Sequence, residues 1–330
     1  MPVDHAKQWR EITVAVPHRI SGFFEIVDQA QVTGTSLQAL SAIGSRGGGP
    51  CLSALGTTKI TIDKQSGMPP RVITIDGKEC TNLARTSKSV MDLLPFQLPA
   101  DVSIAIDHEF SLPTGAGFGS SGCGALGVAI GLNVLFHAGL SMEQCGQVAH
   151  CAEVLNKTGL GTVGGQLNGG CTITMAPGYP FTMNKIIVSP CFKIACASQG
   201  GILTSSILTD PCIRDRIIKA GKKSMKEIVE GFTIQNFTRL SREFVQCTGM
   251  LDIDALDLGS VKQVMEELNG IDSKHVIGAS MNQLGKSAFC IFLEGEGVTG
   301  EIKRIFERNG FTGVHFLEFN DHGPRIVHLA

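Results

Sequence analysis

One segment constrains this chain more than any other: Pro113-Thr-Gly-Ala-Gly-Phe-Gly-Ser-Ser-Gly-Cys-Gly-Ala125. It follows an apolar strand candidate at 102–106 (VSIAI) and opens an apolar run that reads as a buried helix over about 121–138. Glycines there allow a tight turn and close approach of the backbone to a ligand. A helix that begins at such a turn leaves its first N–H groups without partners, at the positive end of its dipole. The hydroxyls of Ser120 and Ser121 add donors, or a magnesium ligand. The combination is an anion cradle suited to a nucleotide phosphate.

Two common glycine motifs do not account for it. Gly117-Phe-Gly119-Ser-Ser-Gly122 fits G-x-G-x-x-G, but the next acid is Glu143, in the first turn of a helix that starts at Ser141 rather than at the end of a second strand. A nicotinamide-dependent dehydrogenase is therefore disfavoured. Gly285-Lys286-Ser287 suggests a P-loop, yet the required glycine five residues earlier is Ser280. Gly124, Gly127 and Gly131, further along the helix, read as close-packing positions.

Composition narrows the class. Twenty-eight Lys and Arg against thirty Asp and Glu give a formal charge of −2, without the basic excess that nucleic-acid binding needs. With 43% apolar residues over 330 positions there is material for two cores. The 11 cysteines are odd in number and lack any Cys-x-x-Cys pair, so most read as buried, reduced thiols of a cytoplasmic protein. The first 18 residues contain no apolar leader, and the apolar run 123–140 carries Asn133 and His137, which suits a core helix better than a membrane span.

Strands are expected at 12–16, 20–27, 58–63, 71–75 and 102–106, with a hairpin turn at Asp76-Gly77. A glycine loop is expected at 44–49 and a second glycine-rich patch at 159–170, followed by strand CTITM. Helices are expected over 86–94 and from Ser141 to about Asn156, where Ser141 and Gln144 form a capping-box signal. Charged amphipathic helices near 211–220, 224–247 and 256–269 precede strand 288–293, helix 298–308 and strand 314–319. The pattern is α+β, in two domains, 1–187 and 188–330.

The segment Pro113-x-x-x-Gly117-x-Gly119-Ser120-Ser121 resembles the phosphate-binding motif of the GHMP kinase superfamily. Val16-Pro-His-Arg19-Ile-Ser-Gly22 is similar to that superfamily's first motif, and Gly278 to Phe289 stands where its third motif falls. Within it, ISGFFEI, GSRGGGPCL, His150-x-x-Glu153, TGLGTVGGQLNGG and SMNQLGKSAF are similar to the archaeal pantoate kinases. The resemblance implies an S5-like N-terminal domain, a ferredoxin-like C-terminal domain, ATP and Mg²⁺, and transfer to a small hydroxy acid such as pantoate. It implies a cytoplasmic enzyme, a homodimer as is common in the family, and no nucleic-acid or membrane partner.

Carried over residue by residue, the resemblance puts the phosphates on Pro113, Gly115, Gly117, Gly119, Ser120, Ser121 and Gly122, and Mg²⁺ on Ser121 and Glu153. Arg19 stands at a Lys/His position and would stabilise charge on the transferred phosphoryl group. Ser45, His150, Thr174 and Thr204 would meet the substrate, with backbone amides of the 44–49 loop as a second anion site. Two positions depart from the pattern: Thr162 stands where many members carry a catalytic Asp, and Thr174 where an arginine is expected. A different alcohol of the mevalonate type, catalysis without a base, or a non-catalytic nucleotide-binding protein would each accommodate these changes.

Overall fold

The β-branched runs of ITVAV and TKITID alternate toward one core, and pairing follows from that alternation. The structure, a computed structural model, describes residues 10–27, 36–64, 71–202, 210–272 and 274–330. Its first part comprises β1 (Glu11–Arg19), β2 (Phe23–Val27), α1 (Leu37–Ser41), β3 (Gly44–Lys64), β4 (Arg71–Ile75), β5 (Lys78–Glu79) and α2 (Arg85–Leu93). There follow β6 (Val102–Phe110), α3 (Ser120–Leu135), α4 (Met142–Asn156), α5 (Thr162–Asn168), β7 (Cys171–Ala176) and β8 (Thr182–Ile186). The second part holds β9 (Phe192–Gly201), α6 (Pro211–Ile228), α7 (Ile234–Thr248), α8 (Gly259–Asn269), β10 (Val276–Asn282), β11 (Gly285–Leu293), α9 (Val298–Arg308), β12 (Thr312–Leu317) and β13 (Arg325–Leu329).

The expected glycine loop at 44–49 is instead the first third of β3. There β3 runs between β2 and β7, and from Leu55 onward it runs between β1 and β6. Glycine is needed because the neighbouring strands press in. A Cβ on Gly48 would stand 2.0 Å from the Thr172 carbonyl oxygen. The glycine patch at 159–170 likewise contains a helix, α5, and the helix expected to break near 220 continues to Ile228. At Ser141 both capping-box bonds form: Gln144 N donates to Ser141 Oγ at 3.2 Å, and Ser141 N to Gln144 Oε1 at 2.8 Å. Asp76 and Gly77 both take positive φ, as a tight hairpin turn requires.

The larger sheet has the order β13-β1-β3-β6-β4-β5, with β2 and β7 on the first half of β3 and β8 on β7. Helix α3 is buried along its length because its small residues let β1 and β3 approach: Gly127 abuts Thr58 and Gly131 abuts Ile60. The second sheet has the order β10-β11-β9-β12, all antiparallel, which is the ferredoxin-like arrangement. The link between β8 and β9 contains the expected division at 187/188. The last strand recrosses it, since β13 pairs with β1. Among the described residues no helix is long and apolar enough to cross a membrane.

Candidate active site

A cavity of about 500 Å³ opens where α2, α3, α5 and the start of β3 meet the β10–β11 turn. Gly115, Gly117 and Gly119 line it, all in the left-handed region with φ of 73°, 85° and 72°. Gly119 is the N-cap of α3 and offers no side-chain cap, so the first N–H groups of α3 have no partner from it. The adjoining Ser120 Oγ is buried and has no hydrogen-bond partner. An anion would satisfy both.

The loop cannot anchor itself, and the second sheet holds it. Ser287 Oγ donates to the Ala116 carbonyl at 2.7 Å. Asn282 Oδ1 accepts from Ser21 N at 2.9 Å, and Gln283 Nε2 donates to Gly22 O at 3.1 Å. The segment 278–289 thus ties residues 21–22 to the glycine loop at 115–119.

Glu153 on α4 is buried just beneath the wall, where Ser121 and Thr158 line the cavity. Thr158 Oγ1 donates to Glu153 Oε1 at 2.6 Å, and Ser121 is a second hydrogen-bond partner. Burial pushes the Glu153 pKa up, while both hydroxyls oppose the shift. No group of three or more His, Cys, Asp or Glu side chains gathers to hold a metal among the described residues. A cation at Ser121 and Glu153 would need phosphate and water oxygens to complete its shell, which is what Mg²⁺ accepts.

Arg19 closes β1 and lines the cavity. Its Nη1 donates to Thr172 Oγ1 at 2.8 Å and its Nη2 to the Thr172 carbonyl at 2.9 Å. No carboxylate pairs with it among the described residues. The nearby thiols of Cys51 and Cys171 are pushed up by burial to about 11 and about 12, so they are neutral and give no counter-charge. Burial lowers the Arg19 pKa, and a buried cation without a counter-ion is costly. The guanidinium fits only because position 165 is glycine, where a Cβ would stand 0.9 Å from Nη1.

Ser45, Gly47, Gly48, Thr174, Phe23, Phe24 and Leu160 line the half of the cavity around Arg19. At the other end Ile75, Leu83, Ala84 and Phe110 form an apolar nook beside His108. His108 is held by Thr58 Oγ1 at 2.9 Å and Ser87 Oγ at 3.0 Å, and burial lowers its pKa to about 4. Among the described residues no Asp or Glu lines the cavity.

Residues 82–168 match the family described as GHMP kinases N terminal domain. Over 210 residues the chain is 30% identical to the pantoate kinase of Methanocaldococcus jannaschii, covering 64% of this chain and 72% of that one. This chain belongs to the pantoate kinase family of the GHMP kinases. It is also 26% identical over 325 residues to the pantoate kinase of Methanospirillum hungatei JF-1, covering 96% of each. A solved structure described as a phosphotransferase related to the CoA biosynthesis pathway superposes with a TM-score of 0.79 at 22% identity, covering 96% of this chain and 98% of that one. That likeness carries the two-domain GHMP kinase fold.

Of the residues that the pantoate kinase resemblance selects, the structure brings Arg19, Ser45, Gly115, Gly117, Gly119, Ser120, Ser121, Thr162 and Thr174 to one cavity. Pro113 and Gly122 lie off its wall, and Gly122 packs against Gln166. His150, expected to meet the substrate, does not line the cavity. It shares a face of α4 with Glu153, but its Nε2 lies 2.9 Å from the Ile43 carbonyl and its ring meets Phe181 edge-on at 5.7 Å, away from the cavity. The second anion site expected on the amides of 44–49 is also corrected. Those amides lie in the β2 and β7 ladders, and Ser45 N donates to Leu160 O. Thr204 lies outside the described residues. Sequence reading missed Gln166, Thr172 and His108; a polar residue inside an otherwise apolar or glycine-rich stretch was the available signal for each.

Proposed function

We infer that this chain transfers the γ-phosphoryl group of ATP to the primary hydroxyl of pantoate, giving 4-phosphopantoate and ADP in the cytoplasm. Family membership supports the reaction. The observation that carries it to these residues is a single cavity lined both by an uncapped, glycine-opened helix start and by Arg19, whose side chain has no carboxylate partner among the described residues.

In this reading the free N–H groups at the head of α3 and the hydroxyls of Ser120 and Ser121 hold the triphosphate, and the apolar nook around Leu83 and Phe110 takes the base. Glu153 and Ser121 would hold Mg²⁺, which when bound neutralises charge on the phosphates. Arg19 draws negative charge toward the acceptor half, and Phe23, Phe24 and Leu160 exclude water from a branched apolar substrate body.

The acceptor oxygen forms its bond to the γ-phosphorus as the bond to the β,γ-bridging oxygen breaks. The hydroxyl proton leaves late, to a phosphoryl oxygen or to solvent, since no lining carboxylate is available to take it. Thr162 at the head of α5 orients the hydroxyl by hydrogen bonding and is not a base.

The test is phosphoryl transfer from ATP to pantoate, mevalonate and homoserine, read by product mass, for the unaltered chain and Thr162→Asp. Turnover with pantoate above the other two supports the reading. Activity on none of the three, or a preference for mevalonate, would overturn it.

A further inference from the structure

Gln166 lies one turn beyond Thr162 on α5, and both side chains back Gly119. A Cβ there would stand 2.8 Å from Thr162 Cγ2 and 3.0 Å from Gln166 Nε2. The Gln166 carboxamide is wholly buried. Its Nε2 lies 3.0 Å from each of three acceptors: the Pro17 carbonyl of β1, the Gly119 carbonyl at the head of α3, and Cys123 Sγ in the first turn of α3. Its Oε1 has no partner and sits against Gly122, where a Cβ would come within 2.3 Å.

A buried amide with an unsatisfied oxygen is destabilising relative to an apolar side chain of the same length. Here it stands at the junction of the three pieces whose relative placement decides the reaction. β1 ends in Arg19, α3 opens with the phosphate loop, and α5 begins with Thr162. The loop has left-handed glycines at 115, 117 and 119, and so little stiffness of its own. With no lining carboxylate, rate depends on alignment of donor and acceptor, where small misplacements are expensive.

We propose that Gln166 is a positioning residue for phosphoryl transfer, its amide fixing the first turn of α3 against β1 and α5 so that the loop presents its free N–H groups to the nucleotide. This rests on the reading that the loop holds a nucleoside triphosphate. Gln166→Met keeps the length and removes both donors.

On the full chain, calorimetric titration with AMPPNP and Mg²⁺ is expected to show at least tenfold weaker binding for Gln166→Met. KM for ATP rises with it and kcat falls, while KM for pantoate stays within twofold. Circular dichroism checks that the variant is folded. If it is not, Gln166→Leu, smaller and likewise without either donor, carries the same expectation. Equal AMPPNP affinity in a folded variant and the unaltered chain overturns the proposal alone. No AMPPNP binding by the unaltered chain overturns the kinase reading, and the proposal with it.

Discussion

Arg19 sets function against stability at a single residue. A guanidinium buried beside two neutral thiols, with Thr172 as its hydrogen-bond partner among the described residues, gains little from the protein alone. Arg19→Met is therefore expected to lower kcat/KM by about 10²–10³, the loss typical of one charge-stabilising donor. The melting temperature should hold or rise. Kinetics and a thermal melt on the same sample check both halves; a large fall in melting temperature would show that the charge is compensated. Glu153 is the converse. As the proposed Mg²⁺ ligand its carboxylate would act ionised, yet burial raises its pKa. Glu153→Gln should raise the Mg²⁺ concentration for half-maximal activity about tenfold or more. It should also flatten the acid limb of the pH profile, which in the unaltered chain begins above the range of an exposed Glu.

α2, α3 and α5 all begin on the cavity, and none has a side-chain cap. Away from it both kinds of start occur: Ser36, Ser141, Asp210 and Thr233 cap their helices, while α8 and α9 begin without a side-chain cap. Ser141→Ala should cost about 1 kcal/mol and lower the melting temperature by about 2 °C, with kcat and KM unchanged. A drop in activity at constant stability would mean that α4 is positioned by its cap. That cap was readable in the sequence because its signal is local: two residues, three apart. The phosphate loop was readable for the same reason, and so was the turn at Asp76-Gly77. Glycine runs were not. Glycine tolerates a turn, a crowded strand or a tight helix contact, and only the neighbours decide which. The run at 44–49 became strand because Thr172 and Phe23 press on it. His150 was legible only in part. Spacing placed it on the face of Glu153, but the direction of its ring was set by Ile43 and Phe181, remote in sequence.

Across the whole molecule, β3 joins the two ends of the larger sheet, and β13 brings the C-terminus back to β1, whose far end carries His18 and Arg19. Loss of packing anywhere along β1 therefore reaches the site, and acid supplies such a loss. His18 is buried under the phosphate loop with Nδ1 3.0 Å from the Phe118 carbonyl, and burial lowers its pKa to about 4; His108 on the cavity wall is lowered to the same value. An unfolded histidine titrates near 6.5. Between those values the unfolded chain binds protons that the folded chain refuses, so stability is full above about pH 6.5 and declines toward pH 4. Each histidine contributes about 3 kcal/mol over that window. His150, also lowered by burial, acts in the same direction. Glu153 acts oppositely, since a raised carboxyl takes up its proton more readily in the folded chain. His315, lowered by burial as well, adds to the three, and the balance is a net loss. Urea unfolding at pH 7.0, 6.0, 5.0 and 4.5 should show a free energy falling by several kcal/mol, with a shallower slope, by close to one proton, for His108→Gln. A midpoint independent of pH would mean that these imidazoles take up protons as readily in the folded chain as in the unfolded one, and that burial does not hold His108 neutral beside the apolar nook.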